Sequence, residues 1–547
     1  MCRGAVILLL LGAGSLRAYA QEERDRATLS GSIQADVLVP QEDKAIGAQK
    51  YDEWALANTY ADLRLQSRYV DAGARLEWNE YPLPGYESDF DGWGLAHFYT
   101  KAHWKNGAVT LGDFYEQFGS GFILRTYEER SLGIDNSLRG AHVAWNPFQG
   151  VALKVLSGRQ RRYWQHNESW VSGADAELSL DEWIPALASR GSFLTVGGSY
   201  VNKYEEEEDI FADPTHRLNL PTMVHAFDVR ARFQTGGWNL LAEYARKSQD
   251  PCFDNSFIYR PGYVAMLSGS YSKRGMSLLL QAKRSDNMSF RSRRSVTGTS
   301  SMINHLPAFT LDHTYALAAL YPYATNPDGE WAYQAEFGYN FKRSTPLGGK
   351  YGTTVKVNFS HVHAIETRPR PLENRTMGSN GYSSPFWKWG DDTYYQDVNV
   401  QLDKKLTADW KLNLMYMYQR YNKTAVEGEG GMINSHIVIG EAKWRINKKL
   451  TLRGEGQYLF TPDDEGDWAF GLLELSMNPH WMFTISDMYN VGTTHNHYYQ
   501  FGATYNVGAH RLQAAYGRTR AGFNCTGGVC RWIPATRGFT LSYNFNF

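Results

Sequence analysis

The sequence predicts an all-β fold, a transmembrane antiparallel β-barrel of about 24–26 strands with about 22 as the lower bound. Three observations carry that prediction. The chain ends on an alternation of large apolar and small polar side chains, segments of the same rhythm recur along its length, and short turns between them alternate with long polar or aromatic connections.

The terminal alternation is complete. Phe539, Leu541, Tyr543, Phe545 and Phe547 fall on one face of an extended chain, and Thr540, Ser542, Asn544 and Asn546 on the other. Lipid outside and a wet interior demand that division of a closing barrel strand. A sandwich strand also alternates, so the remainder of the chain decides.

At the N-terminus, Arg3, the apolar run Ala5 to Leu11 and Ala18-Tyr19-Ala20 before Gln21 read as a secretory signal peptide cleaved after Ala20. The run is too short to span a bilayer as a helix. Cys2 precedes it and no cysteine follows the small residues, which gives no indication of a lipid-modified anchor. Residues 1–20 are therefore set apart, and 21–547 is expected to form one barrel domain.

The 17 Trp, 35 Tyr and 26 Phe come with no run of about 20 apolar residues after the signal, which excludes a helical membrane bundle. Negative mean hydropathy agrees with strands that face water on one side. The whole chain has 56 basic and 57 acidic residues; removing Arg3 and Arg17 leaves 54 against 57, a balance that offers nothing to nucleic acid. Cys525 and Cys530 are close enough for a disulfide within one exterior loop, and Cys252 is left over.

Residues 28–39 begin the strand series, followed by 56–68 and 70–79, where Ala72, Ala74, Leu76 and Trp78 oppose Gly73, Arg75 and Glu77. Phe227, Val229, Ala231 and Phe233 alternate with Asp228, Arg230 and Arg232 before Thr235-Gly236-Gly237 turns the chain. Trp410, Leu412, Leu414, Tyr416 and Tyr418 alternate with Lys411, Asn413, Met415, Met417 and Gln419. The same rhythm runs through 441–446 and 450–458. Arg, Glu and Asp on so many opposite faces suit a broad aqueous interior better than a sandwich core.

Tight turns are expected at 105–107, 146–150, 235–237, 272–275, 478–480 and 507–510, where Gly, Asn and Pro gather. Long connections are expected at 117–136, 160–168, 204–221, 247–259, 285–308, 362–390 and 520–534. Counting strand-like segments gives about 25, an odd total that a bacterial barrel with both ends inside does not tolerate. The up-and-down assignment fails near 285–323, where a strand is missed or a segment in the lumen is counted. No N-terminal plug region and no linker interrupts the series.

The least generic stretch is Leu111-Gly112-Asp113-Phe114-Tyr115-Glu116-Gln117-Phe118-Gly119-Ser120-Gly121-Phe122, continuing through Arg125, Tyr127-Glu128-Glu129-Arg130 and Gly133-Ile134-Asp135-Asn136-Ser137-Leu138-Arg139-Gly140. It resembles the signature region of an uncharacterised family of outer-membrane barrels from Bacteroidota. The resemblance implies fold and location and no ligand. A weaker similarity, to alginate-export-type porins, rests on the Asp113 strand and the Asp135 to Gly140 return, and departs from them in the loop between.

Asp113, Glu116, Arg125, Glu128, Glu129, Arg130, Asp135 and Arg139 are the lumen or constriction candidates, with Gly119 and Gly121 allowing a tight backbone path. Charges of both signs pair across a wet interior and hold a loop folded inward. Such a loop either narrows a pore and selects solutes or stiffens a wide barrel. Glu205, Glu206, Glu207, Glu208 and Asp209 with Asp213 read as an exposed acidic loop rather than a cation site. Arg159, Arg161 and Arg162, like Arg291, Arg293 and Arg294, read as solvated tips or a lure for anionic lipopolysaccharide. Phe386, Trp387 and Trp389 are surface aromatics suited to a sugar ring, a protein contact or cover of the barrel mouth. His495 and His497 would share a strand face, but with His480 and His510 they make no metal spacing.

No Gly-x-Ser-x-Gly, His-Glu-x-x-His or phosphate loop occurs, so no enzyme, cofactor or metal is expected. Two functions compete: a passive channel for small hydrophilic solutes, and an occluded barrel serving as scaffold or subunit of an outer-membrane secretion or assembly complex. Membrane lipid and lipopolysaccharide are the other expected partners.

Overall fold

The computed structural model describes residues 27–369 and 376–547; the expected signal peptide and its cleavage site at Ala20 lie outside them. The architecture is a closed antiparallel barrel of 24 strands. Its first eight are β1 (Thr28–Pro40), β2 (Leu56–Gln66), β3 (Val70–Trp78), β4 (Trp93–Trp104), β5 (Gly107–Phe114), β6 (Leu138–Trp145), β7 (Val151–Arg162) and β8 (Gln165–Ser179). The middle eight are β9 (Ser192–Tyr204), β10 (Met223–Thr235), β11 (Trp238–Lys247), β12 (Gly262–Lys273), β13 (Met276–Asp286), β14 (Gly329–Phe341), β15 (Thr353–Ile365) and β16 (Trp389–Lys405). The last eight are β17 (Trp410–Asn422), β18 (Met432–Arg445), β19 (Leu450–Phe460), β20 (Trp468–Met477), β21 (Trp481–Asn490), β22 (His497–Val507), β23 (His510–Thr519) and β24 (Thr536–Asn546).

The C-terminal alternation closes the barrel. β24 pairs with β1 from Ser32 opposite Asn546 to Pro40 opposite Gly538. Gly31 and Phe547 exchange both backbone hydrogen bonds, at 2.9 and 3.0 Å. Closure removes every open edge, which a bilayer requires because it offers the backbone no alternative partner. Phe539 stays 43% exposed on the outer face, whereas Ser542 on the inner face donates to Asp36 Oδ1 at 2.5 Å.

The failure of the up-and-down count has a structural cause. β13 ends at Asp286 and β14 starts at Gly329; the connection 287–328 contains no barrel strand and runs through the lumen. Its apolar residues imitate a strand because they pack against an interior core. A second departure is at 160–168, expected as a long connection. It is the tip of a tight hairpin in which Gln165 pairs with Arg162, Tyr163 taking a positive φ of 54°. The rim of short turns also carries two longer links, 180–191 and 342–352.

The principal hydrophobic core lies inside the barrel. It joins Phe118, Phe122, Ile123 and Leu124 of the 115–137 loop to Met288, Phe290, Ile303 and Leu317 of the 287–328 connection. Inward side chains such as Val171, Val224, Met417 and Ile437 surround them. A uniformly wet interior is thus not what the upper lumen contains.

Candidate functional site: the plugged lumen

The plug starts where β5 ends. Gly119 and Gly121 take positive φ of 52° and 93° and turn the chain inward. A Cβ at Gly119 would lie 2.5 Å from Glu243 Oε1 and displace that carboxylate, and the positive φ there already favours glycine. Ser120 then donates to Glu243 from its backbone N–H at 2.8 Å and its hydroxyl at 2.5 Å. Beyond that contact, Phe122, Ile123 and Leu124 are wholly buried.

The predicted charges divide into groups. Glu128, Arg130 and Asp135 meet Asp62, Arg75, Glu77 and Arg161 in one lumenal network. Arg75 binds Asp62 and Asp135 at 2.9 Å and Glu128 at 2.8 Å. Arg161 binds Glu77 at 2.7 Å and Asp135 at 2.5 Å. Arg130 binds Asp62 at 2.8 Å and Glu128 at 2.5 Å, with its guanidinium 4.3 Å from the Tyr60 ring centre. The wall partners escaped prediction because pairing across the lumen leaves no trace in local spacing.

Glu116 forms a separate group with Lys154 at 2.8 Å and His142 at 2.9 Å. Burial opposes its charged form, but these hydrogen bonds outweigh burial and lower its pKa to about 2. Asp113 and Arg139 do not face the lumen: they pair across β5 and β6 at 2.8 Å on the outward face, with Arg139 over the Phe98 ring, because the neighbouring Phe114 and Leu138 take the inward positions. Glu129 accepts from the Ser131 hydroxyl at 2.6 Å. Arg125 stacks 4.7 Å from the centre of Tyr127.

The 287–328 connection completes the plug. His305 N–H donates to the Gly121 carbonyl at 2.9 Å, and Arg125 N–H to that of Ile303 at 2.8 Å. Gln160 Nε2 reaches the Met302 carbonyl at 2.7 Å. On the far wall, Gln419 donates to the Tyr321 carbonyl at 3.0 Å, and Leu317 N–H donates to Gln457 at 2.9 Å. Its only warning in the sequence was the combination of apolar residues and broken strand order. A disulfide joins Cys525 and Cys530 in a hairpin, Gly522–Thr526 with Val529–Ile533, that caps this plug. Thr325 N–H donates to the Gly528 carbonyl at 2.9 Å, and Asn524 reaches the Ser131 carbonyl at 3.3 Å.

Polar space flanks the plug. On the short-turn side a cavity of about 730 Å³ is lined by Asp312, His313, Glu336, Lys356, Asn399 and Asn413. At the long-loop rim another, of about 750 Å³, lies among Arg162, Trp164, His166, Glu168, Glu206 and Arg293.

Several expected surface features are internal. Glu205 is buried between Lys203 and Arg294, at 2.9 and 3.1 Å, rather than exposed with its acidic neighbours; Glu207 and Asp209 pair with Arg217. Arg161, Arg291 and Arg294 are likewise buried instead of solvated, because Glu77, Asp254 and Glu205 neutralise them. Arg293 alone of its triplet is exposed, and Arg159 and Arg162 are half-buried. Phe386 and Trp387 lie over the outer wall against Trp331, and Trp389 opens β16 beside Tyr333. His495 sits in a turn with φ of 54°, so it does not share a strand face with His497. Cys252 is free and buried. Among the described residues, no group of three or more His, Cys, Asp or Glu is arranged to hold a metal ion.

Residues 1–547 match the family described as "Family of unknown function (DUF6029)". The chain belongs to that family. No curated protein matches this DUF6029 member. Solved structures similar to it include the siderophore receptor PirA from Pseudomonas aeruginosa, at 10% identity and TM-score 0.41, covering 96% of this chain and 81% of that one. The translocation pore of the P pilus usher PapC is similar at 10% identity and TM-score 0.42, covering 95% and 99%. OccAB3 of Acinetobacter baumannii is similar at 10% identity and TM-score 0.36, again covering 95% and 99%.

Proposed function

We propose that the protein is a non-enzymatic outer-membrane barrel, inserted after signal cleavage near Ala20, whose closed lumen serves as a rigid scaffold within an outer-membrane secretion or assembly complex. The observation that carries this reading is the plug: an apolar core and a buried ion network, supplied by loops of the barrel itself, join opposite walls. A passive pore needs continuous water, which a dry core denies it. The long connections leave a broad folded surface at one rim for a partner.

A second reading, passive passage of small hydrophilic solutes, draws support from the polar cavities and from β23 and β24. Their inward Gln513 and Thr540 remain exposed. Planar-bilayer recording separates the two. The scaffold reading expects a silent wild type at modest voltage and steady conductance once 288–326 is replaced by a short Gly/Ser linker. Ion-selective steps in the wild type, altered by Arg125→Ala, would reject it in favour of a channel. Membrane fractionation tests location, and release by osmotic shock would refute it.

A further inference from the structure

The outer wall between β10 and β14 contains a trough with a cationic head. Ala231 faces Ala242 across β10 and β11, Ala242 faces Leu267 on β12, and Leu267 faces Ala282 on β13. The alanines form its floor. Val229, Phe233, Leu240, Tyr244 and Leu280 rise on either side, and Gly269 extends the hollow toward the short-turn rim. Two cavities, about 510 and 690 Å³, share Ala231, Ala242, Leu267 and Ala282 and so form one channel along the wall.

The upper end is different in kind. Arg246 lies on the same outward face of β11 as Ala242 and Tyr244, between Phe227 and Tyr263 in register, and it is exposed. No ion pair engages it among the described residues. Arg284 lies on the trough face of β13, fully buried against Tyr263 and Phe386, with centroid distances of 5.0 and 5.2 Å. Its Nη2 donates to Ser384 Oγ at 2.6 Å, but Nε and Nη1 make no hydrogen bond. The adjacent carboxylate, Asp286, already receives Arg260 at 2.7 Å and the Tyr382 hydroxyl at 2.9 Å, and stands 3.7 Å from Arg284 Nη1. Arg260 and Arg284 therefore share one carboxylate at the head of an apolar groove, and Arg246 stands unpaired across Tyr263 from it.

Positive charge beside a chain-shaped apolar hollow matches a phosphorylated lipid. Arg246, exposed and unpaired, offers guanidinium N–H groups to a phosphate, and the buried Arg284, short of acceptors at Nε and Nη1, adds positive charge behind it. The trough opens at the rim of long connections, the exterior rim of an outer-membrane barrel, and Trp387, 82% exposed, stands there as an interfacial aromatic. We infer that this face binds one molecule of lipid A, its phosphate held by Arg246 and attracted by the buried charge of Arg284, with an acyl chain lying over Ala231, Ala242 and Ala282. The choice of lipid A over a glycerophospholipid rests on the outer-membrane reading above.

Native mass spectrometry of the delipidated full-length barrel in detergent tests this, with lipid A and phosphatidylglycerol offered separately and in equal competition. A one-to-one lipid A adduct is expected in the wild type. Retention should fall about tenfold or more in Arg246→Gln and in the double variant Ala242→Leu/Ala282→Leu, which fills the trough from a face that tolerates apolar residues. Heat-modifiable migration verifies that each variant is folded. Equal retention by wild type and both variants would overturn the site, and so would preferential retention of phosphatidylglycerol or occupation of the face by a second copy. Fractionation is a separate readout, so a failed location and a failed lipid site are distinguishable.

Discussion

Arg161 and Arg125 carry the same charge in very different settings. Arg161→Ala takes from the buried Glu77 and Asp135 the guanidinium they share at 2.7 and 2.5 Å and leaves both to Arg75, at 3.4 and 2.9 Å. Breaking a buried pair from one side costs about 3–5 kcal/mol. Arg125→Ala removes a stack on Tyr127, worth about 0.5–1 kcal/mol where partly exposed. Urea unfolding in detergent should therefore lower the midpoint strongly for the first and little for the second; equal losses would contradict the assigned network. His305, in the plug, makes a pH prediction. Burial, helped by Arg125 and Lys283, pushes its pKa down from 6.5 to about 3. The unfolded imidazole thus binds a proton that the folded one refuses, so the contribution to stability is full above 6.5 and is lost as pH falls toward about 3. Protection factors around 301–308, with the intrinsic pH dependence of amide exchange divided out, should fall between pH 7 and pH 4, and His305→Gln should flatten that change.

At the scale of elements, the 522–533 hairpin is a strap on the plug. Gly528 is bonded to Thr325, and Asn524 to Ser131 on the other plug segment, so ordering the hairpin orders both. Replacing Cys525 and Cys530 together by serine should raise exchange at 303–308 and 325 while β23 and β24 remain protected. Protection lost throughout those two strands would show that the disulfide supports the wall instead. Mass analysis of the unreduced peptide checks the bond itself. The elements differ because a strand satisfies its backbone along both neighbours, whereas the hairpin relies on few contacts outside itself.

At the scale of the whole molecule, the test is closure. Leu541 faces outward in β24 opposite Val37 of β1, and Ser542 faces the lumen. Leu541→Arg should cost about 2–4 kcal/mol where the wall crosses the bilayer centre, whereas Ser542→Ala loses one hydrogen bond of about 1 kcal/mol. Heat-modifiable migration should shift to lower temperature for the first far more than for the second; the reverse order would invert the assignment of the faces.

The chain's local pattern determined much of this molecule. Period-two alternation specifies a strand and its two faces without help from distant residues, which is why β3, β10, β17 and β24 and the barrel class were legible, as was the inward turn at Gly119 and Gly121. Tertiary structure decided the plug. Glu77 and Arg161 meet across the lumen, and Gln419 meets Tyr321, although each pair is far apart in sequence. Only closure of the barrel, with its particular stagger, brings them together. The same closure turned 287–328 from an apparent strand into interior packing, because an apolar segment reads alike whether lipid or a protein core covers it. The physical division is between backbone geometry, which neighbouring residues set, and the pairing of charges and apolar surfaces across a cavity, which exists only once opposite walls are in place.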